Sequence, residues 1–157
     1  MKAKERECEN QDLLKAKTLL IERKLSLCIV KDSKTLFESK RQGIAPFLEV
    51  IDTLGGELAN ASVADKVVGK AVALLCARSG VGSVYADVLS EGAKTLFYEH
   101  SIRFESAIVV DNILNTDKKL MCPFELLIER VKDPEEAYKM LVQANQDTSI
   151  KLSRVRN

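Results

Sequence analysis

Residues 62–77 read SVADKVVGKAVALLCA, and the interpretation of this stretch decides the fold. Its apolar side chains recur at spacings that cover most of the circumference of a helix, with a narrow polar stripe that includes Asp65 and Lys66. This pattern predicts a helix that is packed on two sides in the middle of a layered domain. Ser62 and Asp65 have the spacing of a capping box, so we expect the helix to begin at Ser62.

The segments on either side predict an alternation of helices and strands. The predicted helices cover 8–24, 46–54, 91–100, 123–131 and a stretch from 134, and the predicted strands cover 25–30, 35–39, 83–89 and 102–109. The first two strands form an antiparallel hairpin because the turn between them is short, whereas direct alternation of helix and strand implies parallel strands. The sequence therefore predicts an α/β fold, a three-layer α/β/α sandwich with a mixed sheet of about four strands.

Length and charge limit the classes of function. The 157 residues suit one domain, which we place at 1–145, followed by a mobile basic tail at 146–157. Lys and Arg total 24 and Asp and Glu total 23, so the net charge of +1 argues against a protein built to bind nucleic acid or an anionic membrane surface. The aromatic fraction of 5% is low for a platform that stacks single-stranded bases.

Targeting and metal-binding motifs are missing from the sequence. The charged N-terminal stretch has no apolar core of a signal peptide, and the longest apolar runs fall far short of the ~20 residues of a membrane span. The four cysteines form no C-x-x-C pair, which together with the missing signal predicts a cytoplasmic protein with reduced thiols. Because His100 is the only histidine, a metal site with several histidines from one chain is excluded. We expect no metal and no cofactor.

The predicted site lies at one edge of the sheet. Ligands of open α/β sheets bind at the carboxyl ends of parallel strands, where the helices starting at Ser62 and Ser90 are expected to meet. Such helix N-termini suit a phosphate, a carboxylate or an oxyanion. We therefore expect an anionic or nucleotide-like small molecule as the partner. The candidate ligand-binding residues are Ser62, Lys66, Ser90, Glu91 and Glu125.

The candidate catalytic residues are Cys122 and Asp65. The loop after the last strand brings Cys122 over the same crevice, and a thiol at a helix N-terminus becomes more nucleophilic. Asp65 or Glu125 would then act as the acid or base. Each residue also has a purely structural interpretation. Asp65 completes a capping box, Cys122 is a small buried apolar residue, and Glu125 is the third residue of a helix that starts with proline.

Three stretches resemble a known family. They are Ser62 to Lys70 (SVADKVVGK), Ser90 to Ala93 (SEGA) and Met121 to Glu125 (MCPFE). Together they are similar to a prokaryotic family of domains of unknown function, over about residues 8–145. The resemblance implies a cytidine deaminase-like fold without an established activity.

A zinc deaminase needs H-x-E on one helix and P-C-x-x-C at the start of the next. By predicted element order, Val63-Ala64-Asp65 stands where the first motif belongs, and Ser90 and Ala93 stand where the two cysteines belong. Valine and alanine cannot bind zinc, and neutral serine is a poor ligand. Ordinary zinc-dependent deamination is therefore not expected.

Three functions remain open from the sequence. The first is a binding domain without metal for an anionic or nucleotide-like molecule, which is the interpretation we favour. The second is an enzyme that uses Cys122 with Asp65 or Glu125. The third is a structural or regulatory protein that acts as a homo-oligomer.

Overall fold

The computed structural model describes residues 2–115, 118 and 120–156 of the chain. Its helices are α1 (Lys2–Glu22), α2 (Ala45–Leu54), α3 (Lys70–Ser79), α4 (Glu91–Glu99), α5 (Pro123–Leu127) and α6 (Pro134–Arg156), with a 3-10 turn at Gly55–Leu58. Its strands are β1 (Leu27–Lys31), β2 (Lys34–Ser39), β3 (Ser62–Val68), β4 (Ser83–Ser90) and β5 (Arg103–Val110).

The strands form one mixed sheet in the order β2-β1-β3-β4-β5. Strand β1 pairs antiparallel with both β2 and β3, whereas β3, β4 and β5 run parallel to one another. The predicted hairpin is confirmed: Asp32 and Ser33 turn the chain with φ of 51° and 66°, as tight hairpin turns require. The sheet has five strands instead of about four because β3 comes from a segment that was predicted to be helical.

The prediction of one helix over residues 62–77 is wrong in its first half. Residues Ser62–Val68 form β3, and the helix begins only at Lys70, after Gly69. A parallel strand buried in a sheet carries an almost continuous apolar run, which periodicity alone does not distinguish from a buried helix. The β-branched Val63, Val67 and Val68 suit a strand, and the alanine-rich residues that follow suit a helix.

Two apolar clusters cover opposite faces of the sheet. Helix α1 packs over one face, against alternate strand residues that include Cys28, Val30, Ala64 and Tyr85. The residues between them, such as Ile29, Val63 and Ala86, belong to a larger cluster with α2, α3 and α4. Because successive strand residues point to opposite faces, helices cover both faces of the sheet, as a three-layer sandwich requires.

The chain after β5 returns over the carboxyl ends of the parallel strands. A short bridge joins Leu114 to Met121, and α5 follows at Pro123. The predicted loop after the last strand includes three residues that lie outside the described part of the chain, namely Thr116, Asp117 and Lys119. Helix α6 packs on α3 and continues through residues 146–156, which we expected to form a mobile tail. The mobility of that segment stays a prediction, and Asn157 lies outside the described residues.

None of the helices, over the part of the chain that the structure describes, combines the length and the apolar character that a bilayer crossing demands.

Candidate functional site

The N-terminus of α3 is capped by a carboxylate from a distant part of the chain. The residue before the helix is Gly69, which has no side chain to cap it. Instead the N–H of Lys70 donates to Oε1 of Glu125 at 2.7 Å, and the N–H of Ala71 donates to Oε2 at 2.8 Å. The positive end of the helix dipole thus faces a negative group, the arrangement expected of a bound anion.

Gly69 makes this approach possible. A Cβ at that position would lie 1.5 Å from Oε1 of Glu125 and 2.8 Å from Cγ1 of Ile113. Atoms that are not bonded to each other cannot come so close, so any side chain at position 69 would displace the carboxylate. The junction between β3 and α3 is therefore shaped around Glu125.

Burial controls the ionisation of Glu125, whose side chain is only 7% exposed. Burial raises the pKa of its carboxyl, because the charged form loses hydration. The hydrogen bonds from the N–H groups of Ala71 and Lys70, and the charge of Lys70, act in the opposite direction. The Lys70 side chain itself donates to the main-chain carbonyl of Glu129.

The N-terminus of α4 lies nearby and is capped locally. Ser90 ends β4 and its Oγ accepts a hydrogen bond from the N–H of Ala93 at 3.1 Å. Ser90 is buried, whereas Glu91, the first residue of the helix, is exposed. The predicted strand-to-helix turn at Ser90 is therefore confirmed as a helix cap.

A cavity of about 100 Å³ lies between these two helix starts and the chain that follows β5. We call it the carboxyl-edge cavity, and its lining residues are Lys70, Ser90, Gly92, Asp111, Asn112, Ile113, Met121, Glu125 and Glu129. Three of these residues carry carboxylates and one carries an ammonium group. The cavity therefore combines a small volume with an excess of negative charge whenever its acids are ionised.

The structure brings Ser90 and Glu125 to this cavity but leaves Ser62 far away. Ser62 begins β3, where its hydroxyl lies 2.8 Å from that of Ser83. Ser83 and Ser90 are opposite ends of β4, about 23 Å apart at 3.3 Å per residue. The expectation that Ser62 starts a helix at the ligand crevice is therefore wrong. Ser62 lies at the amino end of β3, whereas the cavity lies at the carboxyl ends of the parallel strands.

Asp65 and Lys66 also lie on β3 and not on a helix. The Asp65 carboxylate accepts a hydrogen bond from the N–H of Val67 at 3.2 Å, so it does not cap a helix start. Its side chain is half-buried, and burial raises the pKa of its carboxyl to about 7. Lys66 is exposed, and its N–H donates to the carbonyl of Ser26. Neither residue lines the carboxyl-edge cavity.

Cys122 lies next to the cavity without lining it. It precedes α5, its side chain is partly exposed, and its N–H donates to the carbonyl of Ile113 at 2.9 Å. Its neighbour Met121 reaches the cavity wall. The predicted helix start at Pro123 is confirmed, but the expected grouping of Cys122 with Asp65 is not reproduced among the cavity residues.

Several residues that form the cavity were not among the predicted site residues, and these include Lys70, Asp111 and Glu129. The available signal was the Gly69-Lys70 pair between a β-branched run and an alanine-rich run, which is typical of a strand that turns into a helix. No comparable signal connects Asp111 or Glu129 with position 70. Their proximity depends on the path of the chain after β5.

The residues at the helix starts do not fit a deaminase zinc site. The helix after the hairpin begins at Ala45, preceded by Ile44, and the next begins at Lys70, preceded by Gly69. Neither start carries the histidine or the cysteines that bind the metal in zinc deaminases. Within residues 2–115, 118 and 120–156, no three His, Cys, Asp or Glu side chains are grouped so that they could hold a metal ion.

Comparison with known proteins agrees with the predicted resemblance at the level of the family. A model described as "TM1506: Domain of unknown function (DUF1893)" matches residues 15–144. The crystal structure of a DUF1893 family protein, TM1506 from Thermotoga maritima, is similar with a TM-score of 0.80 and 30% sequence identity. That similarity covers 85% of this chain and 90% of the other chain. No curated protein matches the chain. The chain belongs to the DUF1893 family of domains of unknown function.

Proposed function

We propose that this protein is a binding domain for a small molecule that carries a cationic group or a neutral amino group that donates hydrogen bonds, held in the carboxyl-edge cavity. The observation that carries the proposal is that Glu125 already fills the anion position at the start of α3. At the start of α3, a ligand that enters the cavity therefore meets a carboxylate and not free helix amides. This changes the charge of the expected ligand from anionic to cationic.

Charge complementarity supports this choice of ligand. Asp111, Glu125 and Glu129 line the cavity against Lys70 alone, and the Lys70 ammonium already donates to the carbonyl of Glu129. Asp111 is exposed and lies one residue beyond β5, where its carboxylate is available to accept hydrogen bonds. Groups that donate hydrogen bonds and carry positive charge complement such a site, and an anion would be repelled.

The size of the cavity sets an upper limit on the ligand. Pockets for drug-sized molecules measure roughly 300–1,000 Å³, and the carboxyl-edge cavity measures about 100 Å³. A single nucleobase-like ring with an exocyclic amino group, or a short alkyl diamine, is of suitable size. A complete nucleotide would extend into solvent.

We also infer that the fold is cytidine deaminase-like. The order of α1, the β1–β2 hairpin, α2 and the alternating β3, α3, β4, α4 and β5 supports this inference. Cytosine is a suitable probe because it is a single ring with an exocyclic amino group, which is the size of ligand that the cavity admits. No zinc chemistry is proposed, because the helix starts lack the ligands.

The test is the thermal stability of the protein in the presence of cytosine, putrescine or inorganic phosphate. Binding to the folded state raises Tm, so we expect cytosine or putrescine to raise it and phosphate to leave it unchanged. Asp111→Asn should abolish the shift. Asp52→Asn, which removes an exposed carboxylate on α2, is the matched control and should retain it. The proposal would be refuted if neither cytosine nor putrescine raised Tm, or if Asp111→Asn showed the same rise in Tm as the wild type.

A second candidate keeps the anionic ligand. The paired amides of Lys70 and Ala71 already hold a carboxylate, so a phosphate or carboxylate ligand could take the place of Glu125. This candidate expects phosphate to stabilise Glu125→Ala, in which the amides are vacant, and amines to have no effect on the wild type. The same measurement therefore separates the two ligand classes.

A further inference from the structure

Strand β5 is an open edge of the sheet. It pairs with β4, and no further strand of the described residues lies on its other side. The N–H of Arg103 donates to the carbonyl of Gly82, at the start of β4. Main-chain groups alternate in direction along a strand. The N–H and carbonyl groups of Phe104, Ser106, Ile108 and Val110 therefore point away from β4, toward the open edge.

The opposite edge of the sheet has protection that the second half of β5 lacks. Strand β2 carries Lys34 and Glu38, and its register with β1 shifts between Ile29 and Val30. Charged side chains and irregular register are the usual means of blocking edge-to-edge pairing. From Ser106 to Val110, β5 has neither a charged residue nor a register shift against β4.

Exposed apolar side chains flank the β5 edge on both faces. Ile108 is 55% exposed and Val109 40% exposed. The ring of Tyr98, on α4, is 69% exposed and stacks edge-on against Phe104 with 5.2 Å between centroids. Apolar side chains on both sides of an unpaired strand are expected where a second strand is added, because pairing removes them from water.

We infer that β5 pairs antiparallel with β5 of a second copy of this chain, across a two-fold axis at Ala107. Hydrogen bonding limits the possible registers, because outward-facing residues must lie opposite outward-facing residues. With the axis at Ala107, Ser106 lies opposite Ile108 and Phe104 opposite Val110. Each hydrogen-bonded pair of an antiparallel ladder exchanges two bonds, about eight in all across the interface.

Charge favours this register over the neighbouring one with the axis at Ile108. With the axis at Ala107, Arg103 of each copy lies opposite Asp111 of the other. Asp111 also lines the carboxyl-edge cavity, and the two oxygens of its carboxylate can accept hydrogen bonds from a guanidinium and from a ligand together. Moving the axis by one residue to Ile108 would instead place Glu105 opposite Asp111, and like charges directly opposite destabilise a strand pair. Arg103 already binds Asn10 and Glu9 within its own chain, and the five donors of a guanidinium leave capacity for a further carboxylate.

The first test is the mass of the protein in solution, by sedimentation over a concentration series. We expect a species of twice the 17.4 kDa chain mass, and Ile108→Lys should reduce it to one chain. Thr35→Lys adds the same charge to the exposed surface of β2 and is the matched control, which should remain dimeric. Circular dichroism of each variant establishes that it is folded.

The second test is cross-linking, which reports the register. Ala107→Cys, in a background with Cys8 and Cys122 changed to serine, puts two thiols in a non-hydrogen-bonded pair with Cα atoms about 4.5 Å apart, within disulfide range. Copper–phenanthroline as oxidant should convert it to a covalent dimer. Glu105→Cys in the same background should stay uncross-linked, because its two copies lie about 13 Å apart along the strands.

A single-chain mass at all concentrations would overturn the inference. So would a dimer that persists in Ile108→Lys, or a dimer in which Ala107→Cys does not cross-link.

Discussion

The starts of α3 and α4 lie side by side at the same cavity but are stabilised in opposite ways. Ser90 caps α4 from within the turn itself, with an uncharged hydroxyl on the N–H of Ala93. Helix α3 begins after a glycine and receives both oxygens of Glu125, which lies 55 residues after Lys70 in the chain. One helix start is local and neutral, and the other is tertiary and titratable.

This difference indicates that the start of α3 depends on a distant part of the chain, whereas the start of α4 does not. The Ser90 cap needs only residues of its own turn. The N–H groups at the start of α3 have a hydrogen-bond partner only when the chain after β5 places Glu125 over them. The same Glu125 that satisfies α3 contributes charge to the carboxyl-edge cavity. The stability of α3 and the charge of the cavity are therefore linked through one side chain. Four measurements test whether the starts of α3 and α4 differ in this way.

The largest effect is expected from Gly69→Ala. Its Cβ would occupy the position of the Glu125 carboxylate, so the variant combines overpacking with the loss of two hydrogen bonds. We expect the free energy of unfolding to fall by about 3–4 kcal/mol, in the range of disrupted buried networks, as measured by urea denaturation.

Gly92→Ala is the matched control in α4. There a Cβ would meet Lys70 Cβ and Ser90 Oγ at 3.9 Å, which is ordinary contact, so little change is expected. Equal losses in the two glycine variants would show that the α3 start is not shaped around Glu125.

Glu125→Ala should have the next largest effect. It leaves the N–H groups of Lys70 and Ala71 without their partner, and unsatisfied buried donors cost about 1–3 kcal/mol. We expect a loss of about 2–3 kcal/mol in urea denaturation on that basis. In the Glu125→Ala background, Gly69→Ala should cost less than in the wild type, since one of its two clashes is gone. If the two substitutions instead lowered the free energy of unfolding additively, a direct steric clash between a side chain at position 69 and Glu125 would be contradicted.

Ser90→Ala should destabilise the protein less, by about 1 kcal/mol, the usual loss for a removed N-cap. Ser90→Thr retains a hydroxyl and should recover part of the loss. Urea denaturation of both variants, compared with Glu125→Ala, ranks the two caps. A larger loss from Ser90→Ala than from Glu125→Ala would reverse the proposed contrast.

The smallest effect is the pH dependence of the two helix starts. Because burial raises the pKa of Glu125 above its ordinary value of 4.5, the unfolded state ionises first as the pH rises. The contribution of Glu125 to the free energy of unfolding therefore decreases from about pH 4.5 until its raised pKa is passed. Below that window the protonated group gives its full contribution.

NMR can follow this titration at each helix. The amide signals of Lys70 and Ala71 should shift with a midpoint above pH 4.5, and Glu125→Gln should remove that shift. The amide of Ala93, which is capped by Ser90, should not follow the same midpoint. A midpoint at or below 4.5 for Lys70 and Ala71 would contradict the raised pKa.

The predictions that succeeded depend on residues close together in the chain. Asp32 and Ser33 formed the expected hairpin turn, Ser90 capped α4, and Pro123 opened α5. The helix predicted from residue 134 also begins with a local cap, because the N–H of Glu136 donates to the carboxylate of Asp133. The prediction of one continuous helix over residues 62–77 failed, because an apolar run that is buried on both faces has no period that separates strand from helix.

Local sequence predicts the α/β class, the hairpin, the helix starts that use local caps and the resemblance to a family of unknown function. Each of these follows from side chains that act within one or two turns of their own backbone. Local sequence does not predict that β3 ends at Val68, that Ser62 lies at the ends of the strands away from the cavity, or that Glu125 binds the start of α3. These features depend on strand order and on contacts between distant residues, which local chemistry does not encode.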